Sequence, residues 1–220
     1  GHPDCAASDQ FNFATATGSN PGQDNTLSIC SSGAPQDLFP LLGPDATPGG
    51  IWKNAAGTIV TMPYDPAIMN PGAYKYELNS NGCITSATIT VTELTVNYTT
   101  VENNISCNSA NNGSVVVTST SATQYSLDNG SFQTIASSPF TISNLDTNTH
   151  IVTIQNTIGC SATFSFNLSE PLPLSITSLS PNITICPDSS TTLNVTASGG
   201  SSPYIYTWLL NGTVVGNSAS

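Results

Sequence analysis

Ile105-Ser-Cys107 opens, and Gly159-Cys160-Ser-Ala-Thr-Phe-Ser-Phe-Asn-Leu168 closes, the stretch that decides the fold. Between them run Gly113-Ser-Val-Val-Val-Thr118 and His150-Ile-Val-Thr-Ile154, short strand-like segments rich in β-branched residues. Cys107 and Cys160 are 53 positions apart, and so are Cys30 and Cys83. Cys5, Cys83 and Cys160 step by 78 and 77, while Cys30, Cys107 and Cys186 step by 77 and 79. Two interleaved cysteine series with one period mark a tandem repeat of about 78 residues. Glu93 and Glu170 are also 77 apart, so the period extends beyond the cysteines.

Working outward, residues 1–15 read as the closing strand of a truncated preceding repeat. Cys5-Ala-Ala-Ser-Asp-Gln-Phe-Asn-Phe13 parallels the segments that begin at Cys83 and Cys160, each a cysteine followed by polar/apolar alternation. Residues 16–95 form the first full repeat. It contains the apolar segment Asp37–Leu42, strands at Ile51–Lys53 and Ala73–Leu78, an Asn-Gly turn at 81–82, and a closing strand from Cys83 to Glu93. Residues 96–172 repeat that plan, with strands at Gly113–Ser119, Gln124–Leu127, Phe140–Leu145 and His150–Ile154. Pro171-Leu-Pro173 is a stiff joint, since each proline fixes φ and removes a donor. Residues 173–220 are the N-terminal part of a further repeat, whose closing cysteine is expected near position 239 by the period of Cys5, Cys83 and Cys160. The expectation is a piece of a longer array, with Cys5 and Cys186 as halves of bridges cut off at its ends.

No segment sustains a 3.6-residue apolar period. About seven short strands per repeat, divided by Gly, Asn and Pro turns, point to an all-β fold of tandem Ig-like β-sandwiches. A unit of this size has a thin core and needs a staple. The expected staples are Cys30–Cys83 and Cys107–Cys160, each closing a loop worth roughly 4 kcal/mol in the chain-entropy model. They imply an oxidising, extracellular compartment.

Composition narrows the function further. Charged residues are 7% of the chain, and net charge is −11 with Lys53 and Lys75 as the only basic side chains. Phosphate neutralisation needs Lys and Arg, so nucleic acid is excluded as a partner. Docking to anionic lipid is excluded on the same ground. No apolar run approaches the length of a membrane span, so no membrane insertion is expected.

Trp52 and Trp208 each follow a cysteine, Cys30 and Cys186, by 22 positions, which reads as equivalent core slots more than sugar-stacking platforms. Of Tyr74 and Tyr76, one is expected in the core and one in solvent. His2 and His150, the only histidines, have no Cys or His neighbour at metal spacing, and no nucleophile elbow appears. Neither catalysis, nor a metal, nor a cofactor is expected. Glu93, Glu102, Glu170 and Asp188 lie near repeat junctions, where carboxylates sometimes hold calcium; isolated as they are, they read as solvated surface. An isopeptide from Lys53 or Lys75 to an Asn cannot be a general staple, because the second and third repeats lack lysine.

Cys107, Asn112-Gly-Ser-Val115, Tyr125-Ser-Leu-Asp-Asn-Gly130, Gly159-Cys160 and Ser169-Glu-Pro171 resemble the SprB-type repeat of the large gliding-motility surface adhesins of Bacteroidetes. Cys186, Ser198-Gly-Gly200 and Pro203-Tyr-Ile-Tyr-Thr-Trp208 are similar to the Ig-like or PKD-like repeat of the same giant proteins. Gly49-Gly-Ile-Trp52 and Gly72-Ala-Tyr-Lys-Tyr76 are similar to a third repeat type found beside them. The resemblance implies a structural segment of a filamentous cell-surface adhesin, exported by type IX secretion and serving attachment and gliding. Its implied partners are further repeats of the same chain, surface glycans or the substratum, and the outer-membrane secretion and gliding machinery. The alternative is a set of ancillary carbohydrate-binding or spacer modules of a secreted polysaccharide-degrading enzyme.

Overall fold

The computed structural model describes residues 19–219, so Cys5 and the whole closing strand expected over 1–15 lie outside the described residues. The chain is all-β and divides into two compact units, Gly1–Thr95 with Ile158–Cys160, and Val96–Thr157 with Ser161–Ser220.

In the first unit β1 (Asn25–Cys30), β2 (Ile51–Lys53), β3 (Ile59–Val60), β4 (Gly72–Ser80) and β5 (Cys83–Leu94) form one sheet in the order β1-β5-β4-β2-β3. The central hairpin turns at Asn81 and Gly82, whose φ values of 54° and 90° suit the tight two-residue turn that Asn-Gly favours. It is closed by Gly82 N–H donating to Asn79 Oδ1. β1 runs parallel to β5, from Asn25 opposite Ile89 to Cys30 opposite Leu94.

The pleat places Tyr74, Tyr76 and Leu78 of β4 and Ala87, Ile89 and Val91 of β5 on one face, all buried. The facing layer is not a regular sheet. It is built from the segment expected as a short apolar run: Leu38, fully buried, and Leu42 on the 3-10 turn Phe39–Leu42, with Tyr64 joined through a Gln36–Tyr64 bridge. Asp37 Oδ1 accepts the N–H of Phe39 and sets the start of that turn.

The expectation that Tyr74 and Tyr76 part company is corrected here. Residues two apart on a strand share a face, so both rings are buried and Lys75 between them points out.

The second unit holds β6 (Thr99–Asn103), β7 (Gly113–Thr118), β8 (Gln124–Leu127), β9 (Gln133–Thr134), β10 (Phe140–Leu145), β11 (Thr149–Gln155) and β12 (Ser161–Asn167). They form a three-stranded sheet, β10-β7-β6, and a four-stranded sheet, β12-β11-β8-β9. Val115, Val117, Ile142 and Leu145 from the first and Val152, Ile154 and Phe166 from the second are buried, and Tyr125 of β8 stacks on Phe140 of β10 with centroids 5.0 Å apart. That two-layer arrangement is the expected sandwich. Later in the same unit, β13 (Ser175–Leu179) pairs with β14 (Val195–Ser198), and β15 (Ile205–Leu210) with β16 (Thr213–Ala219). Leu174, Ile176, Leu179, Ile205, Leu209 and Leu210 there are exposed.

Candidate functional site

The chemistry of this chain is concentrated in its cysteines. Cys30 bonds Cys160, with Cα atoms 5.2 Å apart, inside the range a disulfide tolerates. Cys83, Cys107 and Cys186 are free and exposed. The expected pairs Cys30–Cys83 and Cys107–Cys160 are therefore not formed, and strand register supplies the reason.

Cys30 lies opposite Leu94, the last residue of β5, whereas Cys83 is the first residue of that strand. Eleven residue steps separate Cys83 from Leu94, roughly 36 Å along an extended strand. The second repeat has the same geometry. Ile105 N–H donates to Ser169 O, so the segment carrying Cys107 lies beside the residues that follow β12, while Cys160 lies just ahead of β12. Nine steps from Cys160 to Ser169 span roughly 30 Å. In both repeats the opening and closing cysteines sit at opposite ends of the closing strand. Spacing in sequence does not carry that information.

Of the four junction carboxylates, Glu102 and Asp188 are exposed as expected, but Glu93 and Glu170 hold partners. Glu93 accepts the hydroxyl of Tyr64 at 2.5 Å. Burial of Tyr64, with the Glu93 carboxylate against its hydroxyl, pushes that phenol well above its usual range, and burial with the same carboxylate raises Tyr74. Glu170, one period on from Glu93, accepts from Asn108 Nδ2 (3.1 Å) and from the backbone N–H of Ser109 (2.6 Å), next to Cys107.

Both lysines go to one partner. Lys53 of β2 bonds Glu77 Oε2, and Lys75 of β4 lies 3.2 Å from Glu77 Oε1. The bond from Lys53, and then that from Lys75, hold the Glu77 carboxyl below the usual carboxylate range. Nothing in the sequence pattern singled out this triad, although Lys75 and Glu77 are neighbours on the outer face of one strand.

His150, buried on β11, places Nδ1 2.9 Å from Asp128 Oδ2 and Nε2 3.4 Å from Asp146 Oδ1. Asp128 also accepts the N–H of Ile151. Burial works against ionisation of Asp128, but the Ile151 N–H and the His150 ring outweigh it and lower its pKa. His150 thus ties the turn after β8 to β11.

Trp52 is buried and packs on Tyr76 with centroids 5.1 Å apart. Trp208 on β15 is half-buried, in a recess with Leu179, Leu193 and Leu210. A recess of about 760 Å³ lies in the second unit between Cys107 and Asn108 on one side and Tyr204 and Tyr206 on the other.

No family model and no curated protein matches the chain. Among solved structures it is similar to the N-terminal eight Ig domains of Down Syndrome Cell Adhesion Molecule isoform 1.30.30, at TM-score 0.31 and 17% identity, over 89% of this chain and 28% of that one. It is also similar to Sidekick-1 immunoglobulin domains 1–5, at TM-score 0.25 and 13% identity, over 88% of this chain and 49% of that one. Both neighbours are built of immunoglobulin domains. The chain spans less than half the length of either.

Among the described residues no three His, Cys, Asp or Glu side chains are grouped to hold a metal ion. No helix there is long and apolar enough to cross a membrane.

Proposed function

We propose that this chain is a structural segment of a long filamentous cell-surface adhesin. In this reading its repeats divide near 95/96 and 172/173 and act as spacers, with further repeats of the same chain as their neighbours. Display outside the cell, attachment to a substratum or to surface glycans, export by type IX secretion and a part in gliding follow from the resemblance to SprB-type repeats.

The observation that carries the reading is the repeat itself. A period of 77–79 residues recurs through two series of three cysteines, and the side chains with notable chemistry serve cohesion: a disulfide, Tyr64 on Glu93, two lysines on Glu77 and His150 on Asp128. A disulfide also belongs to oxidising compartments.

Antibodies raised against residues 96–172 and applied to intact cells of the source organism test this directly. Immunogold label along filaments outside the cell, with reduced attachment when the antibody is present, is the expected result. Label confined to the cell interior sinks the reading. Saturable binding on a glycan array by a protein that also carries a catalytic domain moves the chain to the alternative, an ancillary module of a polysaccharide-degrading enzyme.

A further inference from the structure

The three opening cysteines each head a turn closed on the cysteine carbonyl, and the positive φ two residues on is found after Cys107 and Cys186 but not after Cys30. The carbonyl of Cys30 accepts from Gly33 N–H (2.8 Å), that of Cys107 from Ala110 N–H (3.0 Å) and that of Cys186 from Ser189 N–H (3.1 Å). Ser109 and Asp188, each two residues past its cysteine, both have positive φ, 58° and 64°. The surroundings match as well. Ser31 N–H donates to Leu94 O at the end of one closing strand, and Ile105 N–H donates to Ser169 O past the end of the next. Cys107 is therefore placed in its repeat as Cys30 is in its own. Cys30 is bonded, and its partner is 130 positions on: one period of 77 plus the within-repeat spacing of 53.

We propose that the disulfides of this chain follow an offset rule, in which the opening cysteine of each repeat bonds the closing cysteine of the repeat that follows. Cys30–Cys160 is the first instance. Cys107 takes the closing cysteine of the third repeat, about 130 positions on by the same separation. Where a repeat precedes the first, Cys83 takes its opening cysteine. Each bond forms as two thiols lose two protons and two electrons to an incoming disulfide, of the thiol–disulfide oxidoreductase class, which leaves as two thiols. Successive loops overlap, so the repeats are linked as a ladder and not as separately stapled beads. The rule rests on register and turn geometry and stands whether or not the chain is an adhesin.

The test uses the chain carried through the closing strand of its third repeat, refolded with oxidised and reduced glutathione, alkylated and mapped by mass spectrometry without reduction. The expected map links Cys107 to the third repeat's closing cysteine beside Cys30–Cys160, with Cys5, Cys83 and Cys186 alkylated. Cys107 linked to Cys160, Cys107 bridging two chains, Cys107 left alkylatable, or Cys186 linked to the new closing cysteine each overturns the rule. A second measurement on the 220-residue chain does not depend on how the extension folds. In Cys30→Ser, Cys160 becomes alkylatable and the count of reactive thiols rises by one. A Cys107–Cys160 bond in that variant overturns the rule.

Discussion

The hydroxyl of Tyr76 makes two hydrogen bonds in the first core, accepting from Gly50 N–H at 2.7 Å and donating to Thr47 O at 2.8 Å. Tyr76→Phe keeps the ring against Trp52 and strips both partners. The expected loss is about 1–3 kcal/mol, read from urea unfolding followed by Trp fluorescence. Gly50 is held as tightly, since a Cβ there meets Glu77 O at 2.6 Å and the Tyr76 ring at 2.6 Å. Titration gives a second handle at this scale. Glu77 has a folded pKa below its usual 4.5, so its stabilisation is complete above the unfolded value and is lost as pH falls through the folded one. Unfolding midpoints of the first unit should drop on acidification through that window, less steeply in Glu77→Gln. Tyr64 behaves in the opposite sense. Its folded pKa is raised above the usual 10.0, so its stabilisation is complete below pH 10 and is lost as pH rises further. Tyr64→Phe should remove part of that alkaline slope; an unchanged slope discounts the Tyr64–Glu93 bond.

At the scale of elements, the closing strand governs the covalent structure. Because β5 holds Cys30 and Cys83 at its two ends, the stapling role passes to Cys30 with Cys160. A loop of 130 residues is worth about 5 kcal/mol in the chain-entropy model. Cys30→Ser and Cys160→Ser should each lose stability on that scale, and the double variant no more than either single one. Cys83→Ser and Cys107→Ser should stay within about 0.5 kcal/mol, as exposed sites do. Much of this level was legible in the chain. The strand expected at Gln124–Leu127 is β8, that at Phe140–Leu145 is β10, and the Asn-Gly turn at 81–82 joins β4 to β5, because alternation and turn residues are local signals. What was not legible is nonlocal. Pairing Cys30 with Leu94 requires a parallel β1–β5 contact that no spacing announces. The gathering of Lys53, Lys75 and Glu77 depends on the β2–β4 register. Leu38 and Leu42 supply the facing layer through an irregular segment with no period to read.

The whole molecule joins a low charge to a long covalent loop, and both have mechanical consequences. Lys53 and Lys75 are the only tryptic sites, and both lie in strands paired to each other. The folded chain should therefore survive trypsin; unfolding should release 54–75 from a disulfide-linked pair, 1–53 with 76–220, which only reduction then separates. Tension tests the loop itself. With Cys30 bonded to Cys160, a pull on the chain ends cannot draw out the residues between them, whatever their fold does. Reduction frees 130 residue steps, roughly 450 Å of extended chain. Two within-repeat bridges, Cys30–Cys83 and Cys107–Cys160, would instead release two lengths of roughly 185 Å each. Single-molecule extension of the oxidised chain, with reductant then added under load, separates the cases by step size. A single step near 450 Å is expected, and a pair of equal shorter steps restores the within-repeat pairing. If the offset rule continues along an array, only the 26 positions from Cys160 to Cys186 stay extensible between one bond and the next in that series. That is roughly 90 Å for every two repeats, where an unbridged chain of the same repeats would yield roughly 550 Å. A filament built this way resists lengthening even where individual repeats unfold, which is the property a spacer under shear requires.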